Sequence, residues 1–149
     1  MYEIKPLKQE NIIFVCSLMS EPNNISALHT NIISLDEWQH IFDEAENDTD
    51  EENFIIYNKD IPCGWLKLNG LQNDDTAWIS MLVVSEKFKH QGIGKFAVEF
   101  SINHLKQRGF KEIKLYTTED NYVAIELYQK CGFVIIESKV NRLTMIKEV

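Results

Sequence analysis

The order of predicted elements specifies an α/β chain of the α+β kind, with a mixed central sheet of about seven strands flanked by about four helices. Two observations carry this expectation. Hydrophobic spacing alternates between strand-like blocks and helical repeats, and clusters of Gly, Asn and Asp separate them. The order is strand, helices, three strands, helix, strand, helix, two strands, which gives a layered architecture with a largely antiparallel first half.

The elements follow in turn. Tyr2 to Leu7 reads as a first strand, and Asn11 to Met19 as a half-buried helix that ends at Ser20-Glu21-Pro22-Asn23-Asn24. Ser34-Leu35-Asp36-Glu37 fits a capping box, in which the Ser34 hydroxyl and Glu37 carboxylate satisfy each other's free amides and open a helix through about Glu46. Phe54 to Tyr57 and Ile61 to Leu68 flank the turn triplet Asn58-Lys59-Asp60 and form a hairpin. Ala77 to Val84 is apolar with little alternation, so coverage on both faces is expected. A helix starts after Gly92 and stops at Gly109, Ile113 to Thr117 is a strand, and Asn121 to Lys130 is a helix closed by Gly132. Phe133 to Glu137 and Leu143 to Ile146 complete the sheet.

The 149 residues fit one domain, 1–149, with one sizeable core and no repeat or dividing linker. Hydrophobic residues at 44% and charged residues at 26% exclude disorder and fibrous repeats. A formal charge of -8 argues against a nucleic-acid partner, which needs a basic surface. The run Ile12 to Cys16 is far shorter than the roughly 20 residues of a membrane span, so neither membrane nor export is expected. Cys16, Cys63 and Cys131 support neither a disulfide framework nor a zinc site, which points to reduced thiols in the cytoplasm and no metal. Cys131 is a buried small hydrophobe or, less commonly, a reactive thiol. From Ser34 to Glu52 stand nine acids and no Lys or Arg, either a solvated run or a device that attracts a cation.

The most informative stretch runs from Leu82-Val83-Val84 through Lys89-His90-Gln91-Gly92-Ile93-Gly94-Lys95, a strand followed by a basic glycine loop that opens a helix. Free amides at a helix start, with glycines admitting close backbone approach, form an anion site, and a phosphate-bearing ligand is expected. A Walker loop fails, because Phe96 follows Lys95 where a hydroxyl is required. A dinucleotide fingerprint matches literally in Gly92-x-Gly94-x-x-Ala97, with Glu119 for the ribose. However, seven residues, Ser85 to Gln91, separate strand from first glycine where the fingerprint turns at once. A helix start without ligand is the plain alternative.

The stretch resembles motif A of the GNAT acetyltransferases, Arg/Gln-x-x-Gly-x-Gly/Ala after the fourth strand, with Lys89 as the departure from pattern. Some 27 residues after Gly94, Asn121-Tyr122-Val123-Ala124-Ile125-Glu126-Leu127-Tyr128-Gln129-Lys130-Cys131-Gly132-Phe133 is similar to the second cofactor motif of that family. The resemblance covers roughly Ala77 to the C-terminus and extends to the N-terminal half only in element order.

The resemblance implies a GNAT fold splayed between strands 4 and 5, acetyl-CoA as co-substrate, and transfer of its acetyl group to a primary amine in a ternary complex. It implies that backbone at Leu82, Val83 and Val84 holds the pantetheine arm, and that amides from His90 through Lys95 (His90, Gln91, Gly92, Ile93, Gly94, Lys95), with Lys89, hold the pyrophosphate. Asn121 would bond the pantetheine, and Tyr128 would give a proton to the leaving sulfur, a step that an acyl transfer requires. Tyr128 could also merely pack. An alkylammonium costs roughly 4 to 5 kcal/mol to deprotonate at pH 7. Yet Thr76 to Ser85 holds no carboxylate and Trp78 stands where some members place one, leaving Asp75, Glu119 and Asp120 as candidate bases acting through water. The acidic 36–52 segment would border the acceptor side and draw a polyamine, aminoglycoside or peptide amine. A non-catalytic acyl-CoA-binding module on the same fold stays open, as does monomer or homodimer.

Overall fold

The computed structural model describes residues 1–149. Its strands are β1 (Tyr2–Pro6), β2 (Glu52–Asn58), β3 (Ile61–Asn69), β4 (Thr76–Val84), β5 (Glu112–Thr117), β6 (Val134–Lys139) and β7 (Arg142–Glu148). They form a single seven-stranded sheet in the order β1-β2-β3-β4-β5-β7-β6. Every neighbouring pair is antiparallel except β4–β5. A parallel pair needs a crossover, supplied here by the helix α4 (Ile93–Gln107).

The remaining helices are α1 (Ile12–Leu18), α2 (Pro22–Leu28), α3 (Leu35–Ala45) and α5 (Tyr122–Lys130), five in all against the expected number of about four. The additional one is α2. Pro22 reads in the sequence as a terminator, but it occupies the first turn of α2, where its missing N–H costs nothing and its fixed φ suits the helix. The capping box forms as expected: Ser34 Oγ accepts from Glu37 N at 3.1 Å, and the Ser34 amide faces Glu37 Oε1 at 3.5 Å.

Two apolar layers grip the sheet. On one face Val98 and Leu105 of α4 and Tyr128 of α5 join Leu66, Ile79, Ile113, Leu115 and Met145. On the other, Val15 and Leu18 of α1 and Trp38 and Phe42 of α3 meet Ile55, Trp65 and Val83. Trp38, Phe42 and Trp65 stack within 5.6–5.9 Å of one another.

The fourth strand departs from the expectation that both its faces are covered. Ala77, Ile79 and Val83 are buried, Ser80 is exposed, and Met81 and Leu82 are half-buried. The cause is local. Lys67 pairs with Met81 but Leu68 pairs with Ile79, so Ser80 is one residue too many for its partner strand. Such a bulge bends the strand and raises its twist. On the other edge, β4 pairs with β5 only from Thr76↔Glu112 to Ile79↔Leu115. Beyond the bulge the two strands part, and the β5-facing edge of Ser80 to Val84 has no strand partner.

Candidate active site

The gap beyond Ile79 opens into two connected chambers. The larger, about 560 Å³, is walled by Leu82, Val83 and Val84 of β4, by Lys89, His90, Gly92, Ile93, Gly94 and Lys95 at the start of α4, and by Asn121 and Tyr128. Of the residues expected at the site, only Gln91 lies outside this wall; its carbonyl accepts from the Tyr2 hydroxyl at 2.6 Å. The smaller chamber, about 260 Å³, is lined by Ile79 to Leu82, Tyr116 to Thr118, Asn141 and Arg142. The two share Ala27, Leu28, Leu82, Asn121, Ala124 and Tyr128.

The loop into α4 is shaped by backbone. His90 at φ 64° and Gly92 at φ 81° both lie in the left-handed region, with Gly92 directly before the first turn. A fifteen-residue helix thus begins with its free amides at the chamber wall, an arrangement suited to an anion. At Gly94 a Cβ would come within 2.9 Å of Leu127 Cδ2, so the glycine lets α4 and α5 approach.

Glu21, the residue capping α2, pins the turn after β4. Its carboxylate accepts from Ser85 Oγ and from the Glu86 amide, each at 2.8 Å. Lys89 donates to Asn24 Oδ1 at 3.0 Å and pairs with Glu86 at 3.2 Å, so its ammonium is shared with protein groups at the chamber rim. Hydrogen bonding from Asn23, then from Lys89, holds the Glu86 carboxyl below its ordinary range. Asn23, Asn24, Ala27 and Leu28 were missed as lining residues, because the break read at Pro22 concealed the helix that presents them.

Asn121 caps α5, its Oδ1 accepting from the Ala124 amide at 3.3 Å, which orients the side chain at the junction of the chambers. The Tyr128 ring is buried and meets Phe133 edge-on at 5.7 Å. Burial, with a smaller contribution from Cys131, pushes its phenol well above the ordinary tyrosine range and keeps it protonated. Cys131 itself is half-buried, and desolvation pushes its thiol above the ordinary range, which disfavours the thiolate that a nucleophile needs.

None of the three candidate bases lines either chamber. Asp75 sits at the zipped end of β4, where its carbonyl accepts from Lys111 N at 2.9 Å and Glu112 N at 3.1 Å. Glu119 is exposed. Asp120 pairs with His29 Nε2 at 3.2 Å, joining the end of α2 to the β5–α5 turn. The Thr118 hydroxyl, first, and His29 hold the Asp120 carboxyl low. Thr118 Oγ1 has no hydrogen bond of regular geometry, so the directional partner of Asp120 is His29.

The acidic 36–52 segment is also displaced from its expected place. Asp50 accepts from the amides of Gly70 at 3.3 Å and Gln72 at 3.0 Å, Glu51 faces Lys67 at 3.6 Å, and Glu52 binds His104 at 2.9 Å and Arg108 at 2.6 Å. These acids fasten β2 to its surroundings, and none borders either of the two chambers. No group of His, Cys, Asp and Glu is placed to hold a metal, and no helix is long and apolar enough to cross a membrane.

Comparison with known proteins agrees with this geometry. The pattern described as "Acetyltransferase (GNAT) family" matches residues 17–133. A probable N-acetyltransferase 14 from Xenopus tropicalis is 31% identical over 80 residues, 54% of this chain and 39% of that protein. A streptothricin acetyltransferase from Escherichia coli is 31% identical over 96 residues, 62% of this chain and 55% of that one. The match thus spans less than two thirds of these curated relatives' length. Among solved structures, a spermidine N-acetyltransferase from Vibrio cholerae, crystallised with CoA and spermine, superposes with a TM-score of 0.88 at 17% identity, covering 99% of this chain and 95% of that one. An N-acetyltransferase from Thermoplasma acidophilum in complex with coenzyme A gives 0.80 at 19% identity, covering 100% and 99%. On its family pattern, which takes in most of its length, the chain belongs to the acetyltransferase (GNAT) family.

Proposed function

We propose that the protein is an N-acetyltransferase that moves the acetyl group of acetyl-CoA to a primary amine by direct attack while both are bound. The observation that carries this reading is Tyr128, a protonated phenol lining both chambers where they meet. The larger chamber suits coenzyme A: the unpaired edge of β4 from Leu82 to Val84 offers backbone groups to an amide-bearing arm, and the amides from Gly92 to Lys95 face a diphosphate. Bound there, acetyl-CoA supplies an activated acyl thioester.

The residues of the chain then have separate tasks. Leu82 and Asn121 position the reacting groups at the junction, and Tyr128 delivers its hydroxyl proton to the sulfur as the C–S bond breaks, while the proton that the attacking nitrogen loses on becoming an amide restores the phenol. The smaller chamber contains no carboxylate, so the amine enters already neutral, drawn from its minor unprotonated fraction. Separate chambers sharing one wall fit simultaneous binding without an acyl-enzyme. The three unpaired thiols suit a reducing compartment such as the cytoplasm.

The same lack of a carboxylate supports the second reading, a module that binds acyl-CoA without catalysis. Thiol release on a panel of amines, native against Tyr128→Phe, decides between them. Transfer that falls about 10²- to 10⁴-fold in the variant is expected. Tight acetyl-CoA binding with no thiol released on any amine would leave only the module. Acceptors of the relatives, spermidine and streptothricin among them, differ too much for any one to be carried over.

A further inference from the structure

The smaller chamber has a charge of the wrong sign for a polycation. Its only charged lining residue is Arg142, at the start of β7, and no Asp or Glu joins the wall. The exposed guanidinium sits over the Tyr116 ring, its carbon 4.3 Å from the centroid, and Tyr116 in turn packs on Trp78 at 4.8 Å. Arg142 enters none of the ion pairs of the molecule, and Asp120 and Glu137, on the turn before α5 and on β6, are paired with His29 and Lys139. The ring holds the guanidinium at the wall by a cation–π contact and takes none of its N–H donors, which suits it to receive a planar oxyanion in a bidentate fork. Ser80, Thr117 and Asn141 add neutral polar groups to the same wall.

We propose that the acceptor is a primary amine carrying its own anionic oxygen group, a carboxylate or phosphate, which Arg142 holds so that the amine reaches the Tyr128 junction. This rests on the acetyltransferase reading above. A polyamine would meet a like charge here and find no carboxylate to pair with its second ammonium. Of the acids that read as a cation trap in the sequence, Asp50, Glu51 and Glu52 are spent on the scaffold around β2 and none of the others lines either chamber, so the two halves of the inference come from different parts of the molecule.

The test uses ω-amino acids of increasing length, their carboxamides, ω-aminoalkyl phosphates and spermidine, each assayed for thiol release with acetyl-CoA. Amines bearing an oxyanion are expected to exceed their carboxamides in kcat/KM by at least about ten-fold, through KM, the size of a partly solvated charge-assisted pair. The better of carboxylate and phosphate identifies the group. Arg142→Gln should erase that preference and Arg142→Lys keep part of it. Carboxamides used as well as carboxylates, spermidine preferred to both, or a preference surviving Arg142→Gln would overturn the proposal. Should no amine be turned over, calorimetric titration of the same series onto the CoA-bound protein still decides. Binding that needs both the oxyanion and Arg142 upholds the site while rejecting acetyl transfer, and its absence rejects both.

Discussion

The two halves of β4 share one strand and behave as different materials. From Thr76 to Ile79 the strand is zipped to β5, and at Trp78 and Ile79 to β3 as well, with Ala77 and Ile79 in the core and the Thr76 hydroxyl on Glu112 at 2.6 Å. From Ser80 to Val84 it keeps one partner, and its free edge faces the chambers. Similar apolar residues occupy both halves. What separates stability from function is therefore backbone pairing, and substitutions on the two sides of the bulge should fail differently.

The largest contrast is expected at the open half. Tyr128→Phe keeps the ring on Phe133 and removes only the hydroxyl, so kcat should fall about 10²- to 10⁴-fold, roughly 3 to 5 kcal/mol, with the melting temperature nearly unchanged. The closed half should respond the other way. Leu115→Ala, opposite Ile79 and fully buried, should cost about 2 to 5 kcal/mol in urea denaturation while KM for acetyl-CoA holds. If both variants lost activity and stability in proportion, the division of labour along β4 would be wrong.

A smaller effect is expected from pH. With no base in the smaller chamber, kcat/KM for an alkylamine should climb about ten-fold per pH unit below the amine pKa, near 1.4 kcal/mol for each unit. Burial raises the Tyr128 pKa, so no alkaline limb should appear at the usual tyrosine position; a plateau below about pH 8 would instead reveal a base on the chain. The same shift has a sign for folding: the contribution is fully present below about pH 10, where an unfolded tyrosine ionises, and is lost above it. Least costly is Gly92→Ala. A Cβ there meets nothing within 4 Å, but φ of 81° disfavours it by about 1 kcal/mol, seen as several-fold weaker acetyl-CoA binding and a melting point about 3 °C lower.

What the sequence revealed divides along similar lines. Features with local causes were readable: the Ser34 capping box, the glycines before α4, and the Asn121 and Tyr128 spacing that defines α5. Features depending on a distant partner were not. The bulge at Ser80 exists only against Lys67 and Leu68 of the neighbouring strand. Asp50 looks like free charge until Gly70 and Gln72 fold back onto it. Arg142 reaches the chamber wall because β7 lies beside β5, a juxtaposition no spacing in the chain announces. Pro22 was misread for a different reason, since the same residue both ends and begins helices.

One contact bears on kinetics. Leu28 and Asn121 both line the junction of the chambers, and their sequence neighbours His29 and Asp120 clasp each other at 3.2 Å, tying the end of α2 to the turn before α5. With both side chains more than half exposed, such a clasp is weak and opens readily. It acts as a loose latch, and while His29 carries its second proton added salt weakens it, so the dwell time of whatever threads the junction should then shorten as ionic strength rises.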